Sequence, residues 1–282
     1  MTGLSKPAEN VLLPTDFSEE SENAFAHALA IALYNKASLT ILHVIKDRED
    51  VVQWDQYPSV RKTLTRWGYL DEDSSRKDVA TKLGISIRKE VGVDGDVANA
   101  IEDYTKVNTC DMIVMSTDAN RYLPKWIKPS AALKATELTK LPTLFVPNGA
   151  TGCVSIEDGS VNLERVLLAV DRKPDPQPVI DRVASVIGRV GGLQATVSLL
   201  HVCENNEFPN FNLPENDDIE WNPVCRDGNP ADAIIDFAKE RQANLIGMVT
   251  DGAHGFWETV LGSTMQRVVR GADCPVFALP SY

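Results

Sequence analysis

Val93-Asp94-Gly95-Asp96-Val97-Ala98-Asn99-Ala100-Ile101-Glu102-Asp103-Tyr104 and Arg226-Asp227-Gly228-Asn229-Pro230-Ala231-Asp232-Ala233-Ile234-Ile235-Asp236-Phe237 are two versions of one pattern. The correspondence continues without a gap from Val93–Pro147 onto Arg226–Pro280. Ile113, Met115, Thr117, Asp118, Ser130, Pro142 and Pro147 fall on Ile246, Met248, Thr250, Asp251, Ser263, Pro275 and Pro280. A looser match joins the earlier parts of the two copies. Val11-Leu12-Leu13-Pro14-Thr15-Asp16 resembles Val166-Leu167-Leu168-Ala169-Val170-Asp171, and Leu42-His43-Val44 resembles Leu200-His201-Val202. The repeating unit is too long for a solenoid repeat and about one domain long. The chain is therefore expected to hold two related domains, at 1–148 and 163–282, joined by a linker at 149–162 whose Gly149–Ser160 portion is small, polar and glycine-containing.

Each copy alternates short apolar runs with helical patterns. In the first copy, strands are expected at Val11–Leu13, Leu39–Val44, Ile85–Val91, Met112–Met115 and Thr143–Val146. Phe25, Ala28, Leu29, Ala32 and Leu33 recur at helical spacing behind a start that Asp16 or Ser18 can cap. A second helix is expected around Val60–Leu83 and a third from Gly95-Asp96 to about Val107. The second copy repeats the order: Val166–Val170, a helix near Val179–Arg189, Thr196–Val202, Ile219–Val224, a helix near Ala231–Arg241, Leu245–Val249, a helix after Ser263, and Val276–Leu279. Its Cys203–Asp218 stretch is too polar and proline-rich for the helix that the first copy keeps at this point. Continuous apolar strands alternating with helices predict, in each domain, a parallel sheet covered on both faces.

The 282 residues carry a formal net charge of −12. That sign opposes binding to nucleic acid or to an anionic membrane surface, both of which need a basic face. No stretch reaches the apolar length of a membrane span, and Met1–Pro7 lacks the apolar core of a signal peptide. Five scattered cysteines without a CxxC pair suit reduced thiols in a cytoplasm and argue against a disulfide framework or a zinc site.

In open parallel sheets, ligands bind beyond the carboxyl ends of the strands, at the switch point. Asp16 and Asp171 end the first strand of each copy. A carboxylate there can accept from ribose hydroxyls or cap the next helix, and spacing alone leaves both readings open. Thr250-Asp251-Gly252-Ala253-His254-Gly255, followed by Leu261-Gly262-Ser263-Thr264, can turn tightly and expose successive N–H groups to an anion. Ser263 and Thr264 open a helix, Met265–Arg270, whose first N–H groups add to that site and for which Gly271 is the expected stop. In the first copy Ala119, Tyr122 and Pro129 replace Gly252, Gly255 and Gly262, which removes the backbone phosphate nest. His43 and His201 read as buried, hydrogen-bonded strand-end residues, His254 as a phosphate contact or an aid to slow hydrolysis, and Trp54, Tyr57 and Trp67 either pack the insertion or form a partner surface. No nucleophile–base constellation or carboxylate pair marks a catalytic centre.

With these residues in place, the chain resembles a tandem universal stress protein. The resemblance rests on Val11–Ser18, Leu42-His43-Val44 and Leu141–Pro147 in the first copy. In the second it rests on Asp171, Leu200-His201-Val202, Gly252–Gly255, Leu261–Thr264 and Cys274-Pro275-Val276. It implies a five-stranded parallel sheet per domain, of the adenine nucleotide alpha-hydrolase type. In one branch of the family it also implies ATP or another adenine nucleotide at the switch point. By position, adenine and ribose would meet Ala169, Val170, Asp171 and Val202. Phosphates would meet Gly252, Gly255, Gly262, Ser263 and Thr264. The first copy keeps Pro14, Thr15, Asp16 and Val44 but has lost the phosphate loop. The six residues between Gly255 and Gly262 are fewer than the family pattern has. The resemblance further implies pairing through the last strand of each domain. A tandem chain can make that pair within itself, as a pseudo-dimer that can pair again into a homodimer.

Overall fold

A computed structural model describes residues 8–18, 21–47, 50, 52, 54–117, 129–149, 152–203, 207–250 and 263–281. In the first half, β1 (Asn10–Thr15), β2 (Ser38–Ile45), β3 (Ser86–Val93), β4 (Met112–Thr117) and β5 (Thr143–Pro147) alternate with α1 (Glu22–Asn35), α2 (Val60–Arg66), α3 (Arg76–Leu83), α4 (Val97–Val107) and α5 (Pro129–Thr139). The second half contributes β6 (Arg165–Ala169), α6 (Gln177–Val190), β7 (Ala195–Val202), β8 (Ile219–Arg226), α7 (Pro230–Glu240), β9 (Leu245–Thr250), α8 (Ser263–Gly271) and β10 (Val276–Pro280). The strands form one ten-stranded sheet in the order β3-β2-β1-β4-β5-β10-β9-β6-β7-β8. Pairing within each half is parallel. The halves join where β5 and β10 run antiparallel, with Val276 opposite Phe145 and Ala278 opposite Thr143.

Central strands read as unbroken apolar runs because both of their faces are covered. Leu13, Leu39 and Ile41 face one core together with Phe25 and Leu29 of α1, and Val179 and Val183 of α6 extend the same core under the second half. Leu12, Leu42, Ile113 and Phe145 face the opposite core, against Ile101 of α4, Leu133 of α5, Phe237 of α7 and Val268 of α8. Helix starts repeat between the halves. Asp96 caps α4 by accepting from the Ala98 and Asn99 N–H groups at 2.9 and 3.2 Å, and Asn229 caps α7 by accepting from the Ala231 N–H at 3.1 Å. A cation on the following helix locks each cap: Lys134 donates to Asp96 at 2.9 Å and Arg267 to Asn229 at 2.7 Å.

The structure corrects four expectations. The helix expected around Val60–Leu83 is two helices, because Gly68 takes a left-handed turn (φ 78°) and a bend at Asp71–Asp73 precedes a new capping box, Ser75 with Asp78. Ser21, rather than Asp16 or Ser18, stands at the N-cap of α1. Gly271 is the last residue of α8 rather than a left-handed stop; its missing Cβ would sit 2.7 Å from Ile235 of α7, so glycine serves close helix packing there. Finally, Cys203 and Cys225 form a disulfide, where reduced thiols were expected. Their separation of 22 residues hides the fact that parallel pairing of β7 and β8 sets Cys225 opposite His201, beside the end of β7.

The segment expected to be a linker is partly packed. Val154 and Val161 form an isolated antiparallel bridge, Cys153 and Val154 are buried, and Gly159 lies against the Trp67 ring. Trp67 donates its indole N–H to the Ile156 carbonyl at 2.9 Å. Buried Tyr57 and Trp67 thus pack the insertion.

Candidate functional site

The chain order makes β6 and β9 the neighbours between which the second half reverses direction, so a crevice must open beyond their carboxyl ends. A cavity of about 250 Å³ lies there. That is just under the roughly 300–1,000 Å³ usual for small-molecule sites. Ala169, Val170 and Asp171 enter it from the end of β6, Val202 from the end of β7, Thr250 from β9, and Thr264 and Met265 from the first turn of α8. Five residues marked in the sequence, Ala169, Val170, Asp171, Val202 and Thr264, therefore converge on one space. Gly252, Gly255, Gly262 and His254 lie outside the described residues, as does the side chain of Ser263.

The floor is apolar, from Leu200, Ile234 and Met248, and the rim is polar. Asp171 is mostly exposed and accepts from the Arg172 N–H at 2.6 Å. Buried His201 directs Nδ1 to the Val170 carbonyl at 3.0 Å, so Nδ1 is the protonated nitrogen of that contact, and it lies 3.9 Å from the Asp171 carboxylate. His201 thereby fixes the backbone from which Asp171 projects. Lys173 is a cavity-lining residue that the sequence reading missed. Its only signal was its place, two residues past Asp171 in the loop that must border the crevice.

The first half is built on the same frame but filled differently. His43 Nδ1 donates to the Thr15 carbonyl at 2.8 Å, repeating the His201 contact. Asp16 turns back to accept from the Ser18 N–H and hydroxyl at 3.0 and 2.6 Å. Thr15 holds its hydroxyl 3.3 Å from that of Ser21 and accepts from the Phe17 N–H. Phe17 adopts φ 64°, a left-handed conformation costly for an aromatic residue. Its ring stacks on His43 with centroids 4.0 Å apart, and Trp54 closes on both rings edgewise. The matching position in the second half is Arg172, which swings outward to pair with Glu207 at 2.6 Å. Pro14 and Val44, also marked in the sequence, lie near the carboxyl ends of β1 and β2, and Val44 faces the core on the other side of the sheet from Phe17 and Trp54.

Fold and site together define a repeated parallel α/β protein with a ligand-sized crevice at the switch point of its second half. The chain belongs to the universal stress protein family, whose profile matches residues 7–147 and 212–280. A universal stress protein of Methanocaldococcus jannaschii is 42% identical over 53 residues, 19% of this chain and 31% of that protein. A universal stress protein of Methanothermobacter thermautotrophicus is 36% identical over 63 residues, 22% of this chain and 42% of that protein. The chain thus matches less than half the length of these curated relatives. The crystal structure of a universal stress protein from Archaeoglobus fulgidus superposes with a TM-score of 0.60 at 20% identity, covering 98% of this chain and 97% of that one. At that identity the likeness is one of fold. Among the described residues, no helix is long and apolar enough to cross a membrane.

Proposed function

We propose that this chain is a stress-response regulatory protein whose second half binds ATP or another adenine nucleotide, with little or no catalysis. The observation that carries the reading is the convergence of Ala169, Val170, Asp171, Val202 and Thr264 on one cavity at the β6–β9 switch point. Apolar Ala169, Val202 and Met248 offer faces for a base, and the Asp171 carboxylate offers an acceptor for ribose hydroxyls. The α8 N-terminus offers backbone N–H groups to phosphates, helped by Gly252, Gly255, Gly262 and Ser263. In the first half Asp16 is already engaged by the Ser18 N–H and hydroxyl, and Pro129 stands where the second half has Gly262. One nucleotide per chain is the resulting stoichiometry.

Mass spectrometry of small molecules released on mild denaturation, with ATP titration by calorimetry, tests this. One equivalent of nucleotide is expected, lost in Val202→Trp and weakened about tenfold in Asp171→Ala, since a charge-assisted contact is worth about 1.4 kcal/mol or more. Binding that survives Val202→Trp overturns the site. No binding heat at millimolar ATP overturns the nucleotide reading and favours a scaffold acting through protein contacts. ATP turnover that scales with protein and vanishes in His254→Ala overturns the assignment of little or no catalysis in favour of a slow hydrolase.

A further inference from the structure

A second cavity, of about 140 Å³, lies where the two halves meet, away from both strand-end crevices. Ile31 of α1, Val186 of α6, Leu144 of β5, Phe277 of β10 and Leu163 of the connecting segment line it. A cavity of about 150 Å³ lined by such side chains stays dry and takes a benzene-sized guest. The lining here therefore fits a body of one aromatic ring, or a branched chain of similar bulk. Sites of this kind favour domain interfaces and combine an apolar lining with a few polar anchors.

The polar groups at this cavity select the rest of the ligand. Half-buried Arg189 donates to the Ser185 carbonyl and hydroxyl and to the Asn35 side-chain oxygen, at 2.9–3.3 Å. These partners are all neutral, and among the described residues Arg189 makes no ion pair. Arg182 lines the same cavity two turns earlier on α6. Burial, and then the charge of Arg182, lower the Arg189 pKa, as expected for a cation short of a counter-ion. The acid facing this space, Asp111, already accepts from the Glu9 and Asn10 N–H groups and the Asn10 amide at 2.8–3.1 Å. Arg189, with neutral partners only, thus sets one cation at the edge of an apolar hole.

We propose that the cavity between the halves binds a small apolar monocarboxylate, its ring or branched chain inside and its carboxylate on Arg189. A planar guanidinium donates two parallel N–H bonds to such a carboxylate, a charge-assisted contact that a hydroxyl or amide head cannot match. The site is separate from the nucleotide crevice and does not depend on it.

Saturation-transfer NMR and calorimetry on the full chain, with benzoate and its neutral isostere benzamide as probes, test the proposal. Benzoate is expected to bind at least about tenfold tighter than benzamide, reflecting the stronger charge-assisted contact. Arg189→Gln should bring benzoate to the benzamide level, and Val186→Phe should abolish both by filling the hole. Ile31→Phe fills it from the other helix, should Val186→Phe disturb folding. ATP heat retained in these variants separates this outcome from any failure of the nucleotide reading. No transfer to benzoate at millimolar concentration, or binding that survives both filling variants, overturns the site. Equal affinity for benzoate and benzamide overturns the carboxylate assignment.

Discussion

His27 shows how much one residue can commit to a single protonation state. It is fully buried in α1, gives Nδ1 to the Asn23 carbonyl at 2.7 Å, and lies so close to Gly152 that a Cβ there would strike its ring. Burial lowers its pKa from 6.5 to about 4. The unfolded chain therefore takes up a proton at this site before the folded one does. Stability is fully present above about pH 6.5 and falls as pH drops from there toward 4, by on the order of 3 kcal/mol for this group. Urea midpoints measured between pH 7 and pH 4 should show that loss. His27→Gln, which keeps a donor for Asn23 but does not titrate, should flatten it; an equally steep curve in the variant would place the titration elsewhere.

At the scale of elements, the repeat supplies its own control experiment. Asp96 and Asn229 do the same work at the starts of α4 and α7, each held by a cation from the next helix. Asp96→Ala should cost about 1–2 kcal/mol, the usual range for a lost N-cap. Asp96→Asn, which installs the second half's own solution, should cost well under that in the same urea titration. The disulfide is tested by counting. Thiol titration of the denatured, unreduced chain should find three thiols, Cys110, Cys153 and Cys274, and five after reduction. These elements also show what the sequence made legible. Apolar runs and the repeat located the strands, because buried parallel strands leave a continuous signal and duplication displays it twice. The break inside Val60–Leu83 was signalled by Gly68 and by the Ser75–Asp78 cap, but the helical residues on either side of them read as one run. The Cys203–Cys225 bond stayed hidden because it depends on strand register, which no local pattern encodes. At the site, residues at strand ends were legible from their order alone. Lys173 was not, since it follows the strand and its role depends on the path of a loop.

The whole molecule is held as one sheet by the antiparallel seam of β5 and β10. Phe277 is nearly buried beside that seam and belongs to the core shared by α1 and α6. Phe277→Ala would leave a hole in that core, which costs about 3–5 kcal/mol. A lower urea midpoint, and two-step unfolding as the halves lose their common core, are expected by circular dichroism. An unchanged single transition would show that the seam contributes little. The outer strands of the sheet are β3, with Arg88, Lys89 and Glu90 in sequence, and β8, with Pro223. Charged and proline-bearing margins of this kind discourage further strand addition. The seam also fixes a direction. Strands within each half are parallel, and the halves meet head to tail, so the two sets of strand ends face opposite poles of the protein. Two nucleosides tethered by a short polyphosphate could not reach both poles at once.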